Sequence, residues 1–231
     1  GEQQQVKVIR ILAIRVEFQE EIPDDPTTTG RGLMDLRDSA LFRQQEGHEI
    51  DPAPHNMAYF FMHLEALRIY WETASNGQLT FQFDVYPLDD TASYKLNHPM
   101  KYYGSKPPLE GLTLFFTESW AKADTLTPFI DFSQYDAFII FHAGSDRQSD
   151  LDISPTPTPN DLFTAFIIPE TSVVVDNGTI AIKEGLIIPE TVSQDGRIRA
   201  LNGVLAHEFG HQLGLPDLYN TGTFTTQIGD F

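Results

Sequence analysis

Residues 199–215 read RALNGVLAHEFGHQLGL and decide how the rest of the chain is interpreted. The apolar residues of this stretch recur three and four positions apart, as on one face of an α-helix: Leu201, Val204, Leu205 and Phe209. His207 and His211 are four residues apart, so a helix would present both imidazoles on the same side. The sequence therefore predicts a helix that carries the motif HExxH.

This motif has a direct chemical interpretation. Two neutral imidazole nitrogens, from His207 and His211, can bind one zinc ion at about 2.0–2.1 Å. Glu208 follows the first histidine, where a carboxylate can take a proton from a metal-activated water and pass it to a leaving amine. We therefore predict His207 and His211 as metal ligands and Glu208 as the catalytic base. The alternative is a surface helix whose histidines and glutamate are merely solvated.

The residues after the motif supply a candidate third ligand. Gly214 comes three residues after His211, and Asp217 comes three residues after Gly214. The string HEFGHQLGLPD thus has the spacing HExxHxxGxxH, with aspartate in place of the third histidine. Glycine lets the chain turn back at a helix end, and Pro216 opposes continuation of the helix. An aspartate oxygen can bind zinc at about 2.0–2.2 Å, which predicts Asp217 as a ligand. Its alternative role is that of a turn residue beyond a helix end.

The composition excludes several classes of partner and chemistry. The 231 residues include 33 Asp and Glu against 15 Lys and Arg, a formal net charge of -18. A surface this acidic repels phosphate backbones, so we expect no nucleic-acid partner. The chain has no cysteine, which removes disulfides, thiolate metal sites and cysteine nucleophiles. It has no apolar run near the roughly 18 residues that membrane insertion needs.

The order of predicted elements indicates a mixed α/β (α+β) fold with a mixed sheet. Periodicity and turn residues predict a central strand, a helix, a strand, a second helix, a buried strand and a hairpin, in that order: 6–18, 56–75, 79–86, 112–126, 136–144 and 173–182. Residues 94–108 and 145–161 are predicted to be loops. We expect residues 1–231 to form a single domain. Its sheet subdomain would span about 1–198, and the motif helix with its following turn about 199–231.

Residues 207–220, HEFGHQLGLPDLYN, closely resemble the active-site segment of the M6 metallopeptidases, the immune inhibitor A group. Shorter patches resemble the same family upstream of this segment: 16–18, 70–79, 98–104 and 131–144. The resemblance therefore touches much of the chain, and it is strongest at the predicted helix.

The resemblance implies a zincin-like catalytic domain of a secreted bacterial endopeptidase that acts on protein or peptide substrates outside the cell or at its surface, with its signal peptide removed. It implies zinc, often accompanied by calcium, and assigns His207 and His211 as ligands and Glu208 as general base. In the family the chain continues into a turn with a methionine beneath the metal. Here Phe231 is reached before such a methionine, so we expect truncation before the C-terminal part.

Two other functions remain open at this point. One is a non-catalytic secreted or cell-surface binding module that retains a zincin fold, and the other is a metallohydrolase of small amides or glycans. If the protein cleaves peptides, the hairpin at 173–182 is a candidate edge along which an extended substrate would pair, and its alternative is an ordinary surface hairpin.

Several further polar residues have candidate roles. Four aspartates in or near the loop at 145–161 form a candidate structural calcium site, although a solvated loop is the favoured interpretation: Asp146, Asp150, Asp152 and Asp161. Tyr219 is a candidate to stabilise an oxyanion. His142 ends a predicted strand, where a hydrogen-bonded core residue is the expected role.

Overall fold

The computed structural model describes residues 5–150 and 156–217, and the backbone alone of 219–220 and 225–226. Its helices are α1 (Ser39–Glu46), α2 (Met57–Ala74), α3 (Met100–Gly104), α4 (Pro108–Leu126) and α5 (Leu201–Gln212). Its strands are β1 (Lys7–Glu17), β2 (Leu79–Tyr86), β3 (Tyr94–Lys95), β4 (Ala137–His142), β5 (Ala165–Ile167), β6 (Val173–Val175), β7 (Ile180–Ile182), β8 (Gly185–Pro189), β9 (Tyr219–Asn220) and β10 (Thr225–Thr226).

A mixed sheet organises the molecule, in the order β2–β1–β4–β8–β5, with the short β3 also paired to β1. β1 lies between β2 and β4 and is parallel to both, which confirms the prediction of a central strand. β8 is parallel to β4, whereas β5 runs antiparallel to β8 at the end of the order. The mixed α/β fold predicted from the sequence is thus confirmed, and it is compatible with a zincin-like domain.

Helices cover both faces of this sheet. Phe138 and Phe141 are three residues apart on β4, so their side chains point to opposite faces. Phe141 packs against Phe60 of α2, with ring centroids 4.6 Å apart. Phe138 packs against Trp120 of α4, with centroids 5.4 Å apart. The helix of the HExxH motif, α5, packs beside α2 and against β5 and β8. The motif helix therefore lies on the α2 side of the sheet.

Local sequence explains where α2 begins and ends. The side chain of Asn56 accepts a hydrogen bond from the N–H of Tyr59 at 3.1 Å, which caps the first turn. The chain leaves the helix through Asn76 and Gly77, whose φ angles are 53° and 75°. Asparagine and glycine tolerate this left-handed conformation best, so the predicted stop is confirmed.

Some predicted boundaries were wrong. Residues 94–108, predicted to be a loop, contain β3 and α3. α4 begins at Pro108 rather than at residue 112, because proline is well suited to the first helical position. α1 was not predicted. It is short, and it is capped by Asp38, whose carboxylate accepts from the N–H of Ala40 at 2.8 Å.

Candidate metal centre

The three predicted ligands meet at the C-terminal end of α5. The rings of His207 and His211 are 4.9 Å apart between centroids, with their planes at 88°. Gly214 has a φ of 88°, a left-handed conformation that glycine adopts without strain, and there the chain turns back. The turn brings Oδ1 of Asp217 to 3.4 Å from Nε2 of His207 and to 3.4 Å from Nε2 of His211. All three potential ligand atoms lie within 4.8 Å of one another.

The two distances to the Asp217 oxygen fit a zinc ion. Ligand atoms at the corners of a tetrahedron with zinc bonds of about 2.0–2.1 Å lie about 3.3–3.4 Å apart. Both distances from the imidazole nitrogens to the Asp217 oxygen are 3.4 Å. Two nitrogens and one oxygen form a donor set that zinc accepts, and three protein ligands leave a fourth position for water or substrate.

Hydrogen bonds at the end of the helix orient one of these ligands. Nδ1 of His211 lies 2.8 Å from the carbonyl oxygen of Leu215, so the N–H at Nδ1 donates and Nε2 is the nitrogen directed at Asp217. The N–H of Leu215 in turn donates to the carbonyl of Gly210 at 2.9 Å, and that of Gly214 to the carbonyl of His211. The turn that carries Asp217 is therefore fixed against the last turn of α5.

The side chain of Glu208, on α5, reaches the edge strand β5. Its Oε2 accepts a hydrogen bond of 2.8 Å from the backbone N–H of Phe166. Burial raises the pKa of Glu208, and the Phe166 hydrogen bond and the neighbouring His207 and His211 partly oppose the rise. The sequence did not reveal the role of Phe166, because a main-chain donor has no residue-type signature.

An apolar groove adjoins the three ligand candidates. It has a volume of about 910 Å³ and runs between α2 and α5. Besides His207, His211 and Asp217 its walls are largely apolar: Ala66, Leu67, Tyr70, Trp71, Gly203, Ala206, Gly210, Leu215 and Pro216. An apolar side chain placed beside the metal centre would find room here.

The hairpin at 173–182 forms, but it is not the sheet edge beside the motif helix. Among the described residues, β6 and β7 pair with each other as a separate two-stranded sheet. The strand at the edge next to α5 is β5, whose residue Phe166 contacts Glu208. β5 is therefore a second candidate edge for an extended substrate, in addition to the hairpin. β5 has only three residues, which is too short for a clear alternating pattern.

The aspartates of the loop at 145–161 also differ from their prediction. Asp146 and Asp161 are each 1% exposed, so they are buried rather than solvated. Asp146 accepts from the N–H of Ser149 and the hydroxyl of Thr164, and Asp161 from the N–H and hydroxyl of Thr29. Within residues 5–150 and 156–217, the aspartates of this loop do not join a three-ligand group. The calcium site is therefore not supported.

The last candidates from the sequence are His142, Asp152 and Tyr219. His142 is fully buried against Phe18 and Phe115, and the N–H at Nδ1 donates to the carbonyl of Ala143, so the predicted core role is confirmed. Asp152 and the side chain of Tyr219 lie outside the described residues.

A comparison with known protein families matches the part of the chain that contains these residues. Residues 133–228 match the family model described as immune inhibitor A peptidase M6, catalytic domain. The resemblance to the M6 metallopeptidases is confirmed. The M6 match covers less than half of the 231 residues, but it includes α5, Glu208 and all three ligand candidates.

The M6 match supports a metallopeptidase-type function that involves a metal and protein substrates. A search of curated proteins finds no match to the chain. Among the described residues, no helix combines the length and apolar character needed to cross a membrane.

Proposed function

We propose that this protein is a zinc-dependent endopeptidase. In this proposal His207, His211 and Asp217 hold the metal, and Glu208 is the general base. The observation that carries it is the pair of 3.4 Å distances from the two imidazole nitrogens to one Asp217 oxygen, a spacing that tetrahedral zinc requires. Glu208 stands beside this set of atoms, held by the Phe166 N–H.

Zinc bound in this centre would polarise the scissile carbonyl and lower the pKa of the attacking water toward about 7. The proton of this water would then be transferred by a residue of the chain, Glu208. Oε2 of Glu208 accepts from Phe166, so Oε1 is the oxygen that receives the proton as water attacks the carbonyl carbon. As the C–N bond breaks, Glu208 donates this proton to the amine nitrogen and returns to its starting carboxylate.

The position of β5 suggests how a peptide would lie. β5 pairs with β8 on one side and ends the strand order on the other, where the Phe166 N–H donates to Glu208. A peptide that paired with this outer edge would take the Phe166 N–H from Glu208. Backbone pairing along such an edge is a common mode of peptide binding. The groove beside Trp71 would accept an apolar side chain of the same substrate. An extracellular or cell-surface location is also proposed, and it rests on the family resemblance alone.

Metal analysis and proteolysis together test the proposal. Wild-type protein supplied with zinc is expected to hold close to one zinc per chain, and His211→Ala to lose it. His98→Ala is the matched control, since His98 stacks on Tyr102 rather than lying on α5.

Glu208→Gln separates catalysis from binding. It is expected to retain zinc while losing cleavage of an unfolded protein such as casein. Zinc bound by wild type with no cleavage of casein would favour the binding module instead. Cleavage of small amides but not of casein would favour the small-amide hydrolase. Equal zinc content in wild type and His211→Ala would contradict the proposed ligand set.

A further inference from the structure

We infer that Asp51 is a positioning residue for the metal centre, which fixes the first turn of the helix that carries His207 and His211. This inference rests on the proposed metal binding. Asp51 precedes α2 and lies 150 residues away in sequence from the start of α5.

The start of α5 lacks a capping side chain of its own. Ala200 occupies the N-cap position and has no side-chain oxygen. The first N–H groups of a helix have no partner within the helix, and a carboxylate is well suited to accept from them. Oδ2 of Asp51 accepts from the N–H of Leu201 at 2.6 Å. The cap that the local sequence omits is thus supplied from a distant segment.

A second contact holds the same turn. Nδ1 of His63, on α2, lies 2.5 Å from Oδ1 of Asn202, so the N–H at Nδ1 donates to that amide oxygen. Nε2 of the same ring lies 3.6 Å from Oδ1 of Asp51. The first two residues of α5 are therefore held by two side chains, those of Asp51 and His63, that lie beside each other. His63 is 6% exposed, so water competes little for these contacts.

Asp51 is itself held in place by buried groups. Its φ is 48°, a left-handed conformation that aspartate tolerates better than most residues. Nε2 of His55 donates to the Asp51 carbonyl at 3.1 Å, and Nδ1 of His55 donates to Oε2 of Glu190 at 2.6 Å. Oε1 of Glu190 accepts from the N–H of Gly144 at 2.7 Å. Burial lowers the pKa of His55, but the charge and hydrogen bond of Glu190 outweigh this effect and raise it, which favours the imidazolium form in which both nitrogens donate.

These contacts bridge the segment 191–200, which joins β8 to α5. Glu190 directly follows β8, and Leu201 begins α5. We call the three side chains of Asp51, His55 and Glu190 the helix clamp. The clamp connects the end of the central sheet to the start of the motif helix without passing through segment 191–200, so the helix orientation does not depend on that segment alone.

The geometry of the metal centre depends on this orientation. His207 lies six residues after Leu201, about 9 Å along the helix axis. Asp217 lies beyond the Gly214 turn, so it does not share the helical geometry of the two histidines. A shift or fraying of the first turn would therefore move the imidazoles relative to Asp217. Asp51 contacts none of the three ligand candidates, so its effect on zinc affinity would come through the stability of this first turn.

The test compares zinc affinity, by competition with a chelator, across three variants. Asp51→Ala is expected to weaken zinc binding by up to about fivefold, the factor that corresponds to loss of a helix cap. Asp51→Asn keeps an oxygen acceptor and tolerates the left-handed conformation, so it is expected to restore most of the affinity. Asp38→Ala is the matched control, since Asp38 caps α1 through the N–H of Ala40. It should lower the melting temperature by a comparable amount and leave zinc affinity unchanged.

A second measurement, hydrogen exchange of the α5 amides, makes the outcomes separable. Selective loss of protection at Leu201 and Asn202 in Asp51→Ala, with weakened zinc binding, supports the inference. Zinc affinity equal to wild type in Asp51→Ala overturns it. So does a loss of affinity in the Asp38→Ala control as large as that in Asp51→Ala. If wild type binds no zinc, the proposed function fails. In that case hydrogen exchange alone tests whether Asp51 holds the first turn of α5. Unchanged protection of the Leu201 amide in Asp51→Ala would overturn that part of the inference.

Discussion

The backbone N–H of Phe166 donates a hydrogen bond of 2.8 Å to the carboxylate of Glu208, the residue that follows the first histidine of the motif. Glu208 is thereby held between the edge strand β5 and the three ligand candidates. The carboxylate has a structural role at this position as well as its proposed chemical role, and the two can be separated by substitution.

Glu208→Ala is expected to lower the free energy of unfolding by about 1 kcal/mol, because the part-buried N–H of Phe166 loses its acceptor. Glu208→Gln keeps an oxygen acceptor and removes a charge that burial disfavours, so its stability should equal or exceed that of wild type. Equilibrium urea unfolding of the metal-free proteins measures both. A glutamine variant as unstable as the alanine variant would show that the charge, rather than the acceptor, holds Phe166.

Asp217→Ala is expected to weaken zinc binding by at least tenfold, because two histidines alone leave the site without its third protein ligand. Asp24→Ala is the control, since it removes one exposed carboxylate and so changes the net charge equally. Chelator competition measures the affinity of each. If the two variants bind zinc equally well, Asp217 is a turn residue and the third ligand lies elsewhere.

Asp161 makes the stability of the protein depend on pH. Burial raises its pKa to about 6 from an ordinary value of 3.8, although hydrogen bonds from Thr29 oppose the rise. Between about pH 4 and pH 6 the folded state holds a proton on this carboxyl that the unfolded state has released. The contribution of Asp161 to stability therefore falls as pH rises through this window, and above it the ionised group costs up to roughly 3 kcal/mol.

Asp161→Asn keeps polar partners for Thr29 without the ionisation. The variant is expected to be more stable than wild type at pH 7, and the difference should shrink toward zero near pH 4. Urea unfolding at several pH values measures this, with Asp24→Asn as the control for loss of an exposed carboxylate. A difference between Asp161→Asn and wild type that does not change with pH would contradict the prediction.

Alanine substitutions at two helical glycines are expected to change the stability of the protein in opposite directions. A Cβ on Gly203, in α5, would meet no atom within 4 Å, so Gly203→Ala is expected to stabilise the protein by about 0.5–1 kcal/mol. A Cβ on Gly111, in α4, would lie 2.2 Å from the carbonyl oxygen of Tyr103, so Gly111→Ala should be destabilising. Thermal unfolding of the two variants tests the pair. Similar shifts of the same sign would show that helix propensity, not local packing, sets the outcome.

The sequence by itself determined the features that depend on local order along the chain. His207, Glu208 and His211 fall on one helix because four-residue spacing fixes a face, and Gly214 with Pro216 ends that helix where the chain must turn. The central position of β1 followed from a long β-branched run, and the end of α2 from Asn76 and Gly77. Backbone geometry of neighbouring residues is enough to decide each of these.

Only the tertiary structure decided which distant groups support the centre. The Phe166 N–H that holds Glu208 belongs to a three-residue strand, and the carboxylate that caps α5 comes from Asp51. The hairpin at 173–182 was a candidate substrate edge, yet among the described residues its strands pair with each other, while β5 lies at the end of the main sheet beside the motif helix. Asp146 and Asp161 had the composition of a solvated loop but are buried by hydrogen bonds from distant residues. Such contacts arise from packing between segments far apart in sequence, and composition and periodicity report only on near neighbours.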